Sequence, residues 1–129
     1  MAAGMHAANL VNKWLDMLGG TAFSAPANTY VRLHTGDPGS AGTSNGSANT
    51  TRQPITWSAA SGGSKAMSGN LSWTSWAAGS ETISHISIWD ASSGGNVLWS
   101  GALTTSRAVA NGDTFNITSL AANLTPLMA

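Results

Sequence analysis

The sequence has little charge and no cysteine. Five Lys and Arg residues balance five Asp and Glu residues over 129 positions, so the formal net charge is zero. Without a basic field the chain lacks the usual means of holding a nucleic-acid backbone or an anionic lipid surface, and we expect neither as a partner. The absence of cysteine excludes disulfides, thiolate metal ligands and cysteine nucleophiles.

Long apolar runs are also missing. No stretch approaches the roughly 18 apolar residues that cross a bilayer, and the N-terminus has neither the basic nor the apolar region of a signal peptide. We therefore expect a soluble protein made in the cytoplasm. A chain of this size buries a modest fraction of its surface alone, so association with copies of itself is the expected source of further stability.

Small polar residues dominate what is present. Ser, Thr and Asn together number 42, whereas Leu, Ile, Val and Phe together number only 21. So low an aliphatic content is typical of disordered chains when the net charge is large, but here it is zero. Six Trp residues offer about 150–250 Å² of buriable area each. The composition therefore favours an ordered domain with a small core of Trp and Ala.

An amphipathic helix is predicted at the N-terminus, within residues 1–20. Apolar residues recur at steps of three and four over residues 5–18, which is the spacing of one helical face. Gly19 and Gly20 follow and supply a left-handed C-terminal cap. The apolar stripe consists of Leu10, Val11, Trp14, Leu15 and Leu18.

Residues 21–129 are predicted to form one β domain, and the chain a single domain overall. Residues 29–35 alternate apolar and polar, as a half-buried strand does. The fold class is therefore mainly β, an antiparallel sandwich or barrel of about seven to eight short strands with the N-terminal amphipathic helix. The other predicted strands are residues 53–59, 70–75, 82–89, 96–103, 106–110 and 113–118.

Predictions can also be made for a loop, a turn and the C-terminal tail. Residues 36–51 are nearly all Gly, Ser, Ala, Thr and Asn without periodicity, so they predict a long exposed loop that cannot order itself by burial. Asn111-Gly112, between Val109 and Phe115, is a strong hairpin signal. The apolar C-terminal tail from Leu120 onward is expected to be a final strand or a hook that docks elsewhere.

Two patterns resemble catalytic or metal sites. Residues 42–46 match the G-x-S-x-G motif of serine hydrolases, but that motif needs a strand before it and a helix after it, and neither is predicted here. His34 and Asp37 lie close together at a strand end, and His85 lies in the middle of another strand. A zinc or catalytic site would need a third ligand or an activated nucleophile nearby, and the sequence specifies none. A turn Asp that caps backbone N–H groups and hydrogen-bonded strand histidines explain them better. We expect no enzyme activity, no cofactor and no metal.

The tryptophans allow two interpretations, a core or subunit interface, or an exposed platform that stacks on sugar rings. Trp57 shares a strand face with Ile55, which favours the core. Trp99 likewise shares a strand face with Val97, which favours the core for Trp99 as well. Trp89 lies on the face opposite Ile86 and Ile88, so it is the best candidate for an exposed or interface aromatic.

A series of short motifs follows the predicted N-terminal helix. They are LHTGDPG at 33–39, RQ at 52–53, WDA at 89–91, GG at 94–95, GALT at 101–104 and GDT at 112–114. In this order, and over about residues 5–118, the chain resembles a family of small actinobacteriophage (mycobacteriophage-type) virion structural proteins. Members are often labelled tail fibre, minor structural or capsid decoration proteins.

The resemblance implies a non-enzymatic component of the virion. Because the chain lacks the long repetitive shaft of a complete fibre, we favour an exterior capsid decoration (cement) protein, also called a minor capsid protein, that stabilises the shell as a trimer. The alternative is a small tail or tail-fibre component that binds host surface glycans. Partners would be copies of the chain and the major capsid protein or tail proteins.

Interface candidates come from the helix stripe and the tail. An equally good account of the stripe is that it covers an open face of its own sandwich. The candidate residues are Leu10, Trp14, Met17, Leu124, Leu127 and Met128.

Overall fold

The part of the chain that the structure describes is mainly β, with nine antiparallel strands and a short N-terminal helix. The structure, a computed structural model, describes residues 4–124. Its sheets have the orders β1-β7-β6-β2-β3, β4-β9 and β5-β8, and no barrel closes within these residues. The predicted fold class is confirmed in its open, layered form. The strands are β1 Gly4–Met5, β2 Thr29–His34, β3 Gln53–Ile55, β4 Ser64–Ala66, β5 Leu71–Trp73, β6 Glu81–Trp89, β7 Val97–Val109, β8 Phe115–Ile117 and β9 Ala121–Asn123.

The helical segment has three parts. A π-helical turn, Ala7–Val11, leads into the α-helix α1, Asn12–Asp16, and a 3₁₀ turn, Met17–Gly19, ends it. The ring nitrogen Nδ1 of His6 caps the start by accepting the Asn9 N–H at 3.1 Å. Gly20 follows with φ 86°, the left-handed cap that the sequence predicted.

The core lies between the five-stranded sheet and the β5–β8 pair. Ile83, Ile86 and Ile88 of β6 point their side chains into it. Trp73 of β5 and Phe115 of β8 meet edge to face, with ring centroids 5.8 Å apart. Trp73 and Trp76 belong to this buried cluster, as the composition predicted, but most of its members within residues 4–124 are Val, Leu and Ile and none is Ala. The expectation of a core of Trp and Ala is therefore right for tryptophan and wrong for alanine.

The Asn111-Gly112 turn does not form the predicted hairpin. Within residues 4–124, β7 pairs with β6 and β8 pairs with β5, so the turn joins two different sheets. It docks on Trp76, whose carbonyl accepts the Gly112 N–H at 2.8 Å and whose N–H donates to the Asp113 carbonyl at 2.9 Å. The local sequence specifies the chain reversal, but burial of apolar side chains on each strand selects the partner strand.

One long strand, β7, replaces two predicted strands. Its pairing with β6 jumps from Arg107 opposite Ile83 to Ala102 opposite His85, so β7 carries extra residues at this point. The break that the sequence shows near Thr104 is thus a bulge-like irregularity within one strand.

The loop at residues 36–51 is exposed over most of its length but is anchored on the sheet. Pro38, Gly42 and Ser47 are buried. The Ser47 hydroxyl donates to the Glu81 carboxylate, and the Ser47 N–H donates to the carbonyl of the β2 residue Leu33 at 3.0 Å. The expectation that this segment cannot order itself is therefore wrong, because hydrogen bonds to the sheet replace the missing apolar burial.

Candidate functional site

The face of the five-stranded sheet opposite the core is covered by the loop at residues 36–51. Strand pairing places Tyr30, Arg32 and His34 of β2 on this face, opposite Trp89, Ser87 and His85 of β6. This is the face of Trp89, the residue that sequence reasoning offered as an exposed or interface aromatic.

Trp89 is not exposed. Only 5 % of its surface is accessible. The Arg52 guanidinium lies over its ring, 4.0 Å from the centroid. Gly42 approaches its edge so closely that a Cβ atom there would lie 3.1 Å from Cζ2. The expectation of an exposed Trp89 is wrong, because strand alternation gives the face of a side chain but not what a distant loop lays over that face.

A buried hydrogen-bond chain continues from Trp89 to His34. The Trp89 indole N–H donates to Ser87 Oγ at 2.7 Å, and Ser87 Oγ lies 2.7 Å from His34 Nε2. His34 Nδ1 lies 2.9 Å from the Ser44 carbonyl, which can only accept. Nδ1 therefore carries the proton, and Nε2 accepts from the Ser87 hydroxyl.

This arrangement keeps His34 neutral and inaccessible. Desolvation by burial, followed by the nearby Arg32 charge, lowers the pKa of His34 despite the hydrogen bond from Nδ1 to Ser44. His34 and Ser87 are both fully buried, at 0 % exposure. A serine and a histidine at hydrogen-bond distance resemble a catalytic pair, but no substrate can reach either side chain. The network stabilises the fold.

The turn carboxylates act on backbone N–H groups, as the sequence indicated. Asp37 Oδ1 accepts the Gly39 N–H at 2.9 Å. Asp90 accepts the backbone N–H of Asn96 at 2.7 Å and its side-chain amide at 2.9 Å. Partial burial opposes ionisation of Asp90, but these hydrogen bonds outweigh it and lower its pKa. Residues 4–124 contain no group of three or more His, Cys, Asp or Glu side chains placed to hold a metal ion.

The surface that could bind a partner lies on the core side of the sheet, where its cover is incomplete. A cavity of about 690 Å³, hereafter the groove, opens between the helical segment and the β4–β9 pair. The buried Ile55 and Ile88 lie at its base. Among residues 4–124, Lys65 is the one ionisable residue in its lining, and its Nζ donates to the Ser58 carbonyl at 2.9 Å. The other lining residues used below are Leu10, Trp14, Phe23, Trp57, Ala60, Trp99 and Leu124.

The groove brings together three of the predicted interface residues. Leu10, Trp14 and Leu124 all line it. Leu10 is buried against its own chain, so for this residue the alternative account, in which the stripe covers its own sandwich, holds. Met17 is exposed and lies outside the groove lining. Leu127 and Met128 lie outside the described residues.

A second apolar surface lies at the end of the helical segment, and we call it the knob. It comprises Leu15, Met17 and Leu18, which are 58 %, 51 % and 86 % exposed. The sequence placed Leu15 and Leu18 in the helix stripe but not among the interface candidates. Their exposure shows that the stripe is wider than the surface it covers. Sequence reasoning also missed groove residues such as Phe23, because no local sequence pattern indicates that they line a groove.

The matching protein family is a fibre family. Residues 6–125 match the model of the family described as Podophage GP4 fiber I protein gp80. The chain belongs to this phage fibre family. It is therefore a structural component of a phage virion, and the resemblance to phage virion proteins is confirmed at this level. No protein with a curated description matches the chain. None of the helices within residues 4–124 is long and apolar enough to cross a membrane.

In this member of the fibre family, the motifs that carried the resemblance build the fold. The Arg52 guanidinium holds the turn after β6 by donating to the carbonyls of Ala91 and Gly94, at 2.8 and 2.7 Å. At Gly95, φ is 72° and a Cβ atom would lie 2.4 Å from Asp90 Oδ1, so only glycine fits. None of the motif residues lines the groove within the described chain. The groove is a surface separate from these motifs.

Proposed function

We propose that this protein is a small, non-enzymatic fibre component of the phage tail that works by packing against copies of itself and against other tail proteins. The observation that carries the proposal is the pairing of an apolar groove with an exposed apolar knob on a chain of a fibre family. Soluble proteins that act as monomers rarely expose large apolar patches, which mark interaction sites when they occur.

A homo-oligomer follows from the same surfaces, and a trimer is the state we favour. The knob exposes three large apolar side chains to water. Burying one such side chain stabilises a contact by about 1.5–3 kcal/mol, so burial of all three offsets a large part of the cost of association, which is about 4–15 kcal/mol.

A place in the tail has more support than a place on the capsid. The sequence alone favoured a capsid decoration protein because the chain lacks a fibre shaft, but the family to which it belongs is described as a fibre protein. We therefore propose a fibre location, with capsid decoration as the alternative. The actinobacteriophage origin remains a prediction from the sequence motifs.

Binding of host glycans is the less supported of the tail roles. The aromatic residue that sequence reasoning offered for stacking on sugars, Trp89, is buried under Arg52 and the loop at residues 36–51. A sugar platform would have to use the tryptophans of the groove, Trp14, Trp57 and Trp99.

Imaging of the assembled particle tests the location. Gold-labelled antibodies raised against the purified chain should mark the tail or its fibres and leave the head unlabelled. Labelling spread over the head would overturn the fibre location in favour of decoration. Light scattering coupled to size-exclusion chromatography should give an oligomer, and a strict monomer at all accessible concentrations would contradict self-association.

A further inference from the structure

The knob and the groove of one copy do not fill each other. Leu18 remains 86 % exposed although Trp14, four residues earlier, lines the groove. The left-handed Gly20 ends the helical segment immediately after the knob, so the knob stands at a chain reversal where a neighbour can reach it. Each copy thus presents one protruding and one recessed apolar surface.

The charges at the two surfaces are complementary. Lys65 is the one ionisable residue in the groove lining within the described part of the chain. Asp16 is exposed and lies between Leu15 and Met17 of the knob in the sequence. Lys13 of the same helical segment is also exposed, but it lines a separate cavity together with Asp90. A knob seated in a groove would bring a carboxylate toward an ammonium group, whereas two knobs placed face to face would bring two carboxylates together. Like charges in contact disfavour the second arrangement.

We infer that the knob of one copy, Leu15, Met17 and Leu18, docks in the groove of a second copy of this chain, with Asp16 near the partner copy's Lys65. The inference rests on the proposed function in that it takes self-association as given and assigns its two surfaces. Because the surfaces differ, the contact joins unlike patches, and such contacts close into rings when the rotation between copies divides a full turn. The proposed trimer is such a ring.

Two single variants test the surfaces separately. Leu18→Glu places a charge on the knob and leaves the groove intact, and Ala60→Glu places a charge in the groove lining and leaves the knob intact. Leu18 and Ala60 are both exposed, so neither change disturbs the core. We expect each variant to weaken self-association by about 10- to 100-fold in dissociation constant, the effect of losing one well-buried Leu contact. Thr105→Glu, exposed on β7 away from the groove lining, is the matched control and should assemble as the wild type does.

Mixing the two variants is the decisive measurement. Each is expected to run alone as a monomer by mass photometry or light scattering. Together the intact knob of Ala60→Glu can enter the intact groove of Leu18→Glu, so the mixture should form mixed complexes. A mixture that stays monomeric, or a single variant that keeps the wild-type mass, would overturn the inference. A wild-type protein that is itself a monomer would instead contradict the proposed self-association.

Charge reversal supplies an independent readout. Asp16→Lys and Lys65→Asp should each weaken assembly, and the double variant should recover part of the loss, more so at low ionic strength. Recovery by the double variant supports the knob in the groove. If Ala60→Glu lowers the melting temperature but not the mass, or if soluble glycans compete with assembly at the groove, a different occupant holds it and the inference is wrong.

Discussion

Gly42 is the point at which the loop at residues 36–51 packs on Trp89. Replacing Gly42 by alanine should disrupt this packing. Gly42 has φ 69°, and a Cβ atom there would lie 2.7 Å from Val97 Cγ2 and 3.1 Å from Trp89 Cζ2. The left-handed backbone costs a residue with a Cβ atom about 1–2 kcal/mol. Overpacking a well-filled site costs about 1–3 kcal/mol more. Gly42→Ala should therefore lower the free energy of unfolding by about 2–5 kcal/mol.

A matched glycine separates the two costs. Gly62 has φ 58°, close to that of Gly42, but a Cβ atom there would meet nothing within 4 Å. Gly62→Ala should thus cost only the backbone share, about 1–2 kcal/mol. Urea unfolding followed by circular dichroism gives both values, measured at one protein concentration because association adds to apparent stability. Equal losses in the two variants would refute the packing of the loop on Trp89, and with it the account of why that tryptophan is buried.

Three further predictions concern the covered face and the turns. The free energy of unfolding should fall as the pH is lowered from the ordinary His34 pKa of 6.5 toward the lowered pKa of the folded state, because the unfolded chain then binds the proton more readily. Urea midpoints measured between pH 8 and 5 should show this loss, and His34→Gln should flatten that part of the curve. Arg52→Ala should cost about 2–3 kcal/mol by removing the stacking on Trp89 and two charged hydrogen bonds, a loss that thermal unfolding would measure and that a value near zero would contradict. Asp113→Ala removes the 2.9 Å acceptor of the Ala110 N–H and should cost about 0.5–1.5 kcal/mol in the same assay, whereas an unchanged midpoint would show that the turn holds without it.

Local patterns predicted the elements well where the physical cause is itself local. The alternation of residues 29–35 predicted β2, and the Gly19-Gly20 pair predicted the end of the helical segment at a left-handed Gly20. The turn role of Asp37 followed in the same way, because an Asp side chain reaches N–H groups two residues ahead. Each of these features depends only on neighbours in the chain.

Predictions failed where the cause lay far away in sequence. Asn111-Gly112 reverses the chain, but its flanking strands join different sheets. A register shift beside Trp89 also separates Val97, which faces Gly42, from Trp99, which packs on the core, although strict alternation had placed them together. The alternation of side chains between the two faces of a strand predicts which residues share a face only where no bulge interrupts the strand.

The sequence by itself determined a mainly β domain with an N-terminal helix, and its motifs already resembled phage virion proteins. The tertiary structure alone decided that Trp89 is buried, that His34 is neutral within a closed hydrogen-bond chain, and that Leu10, Trp14 and Leu124 share one groove while Leu18 stands outside it. The physical reason is that periodicity records which face a side chain takes, whereas exposure depends on which distant segment covers that face.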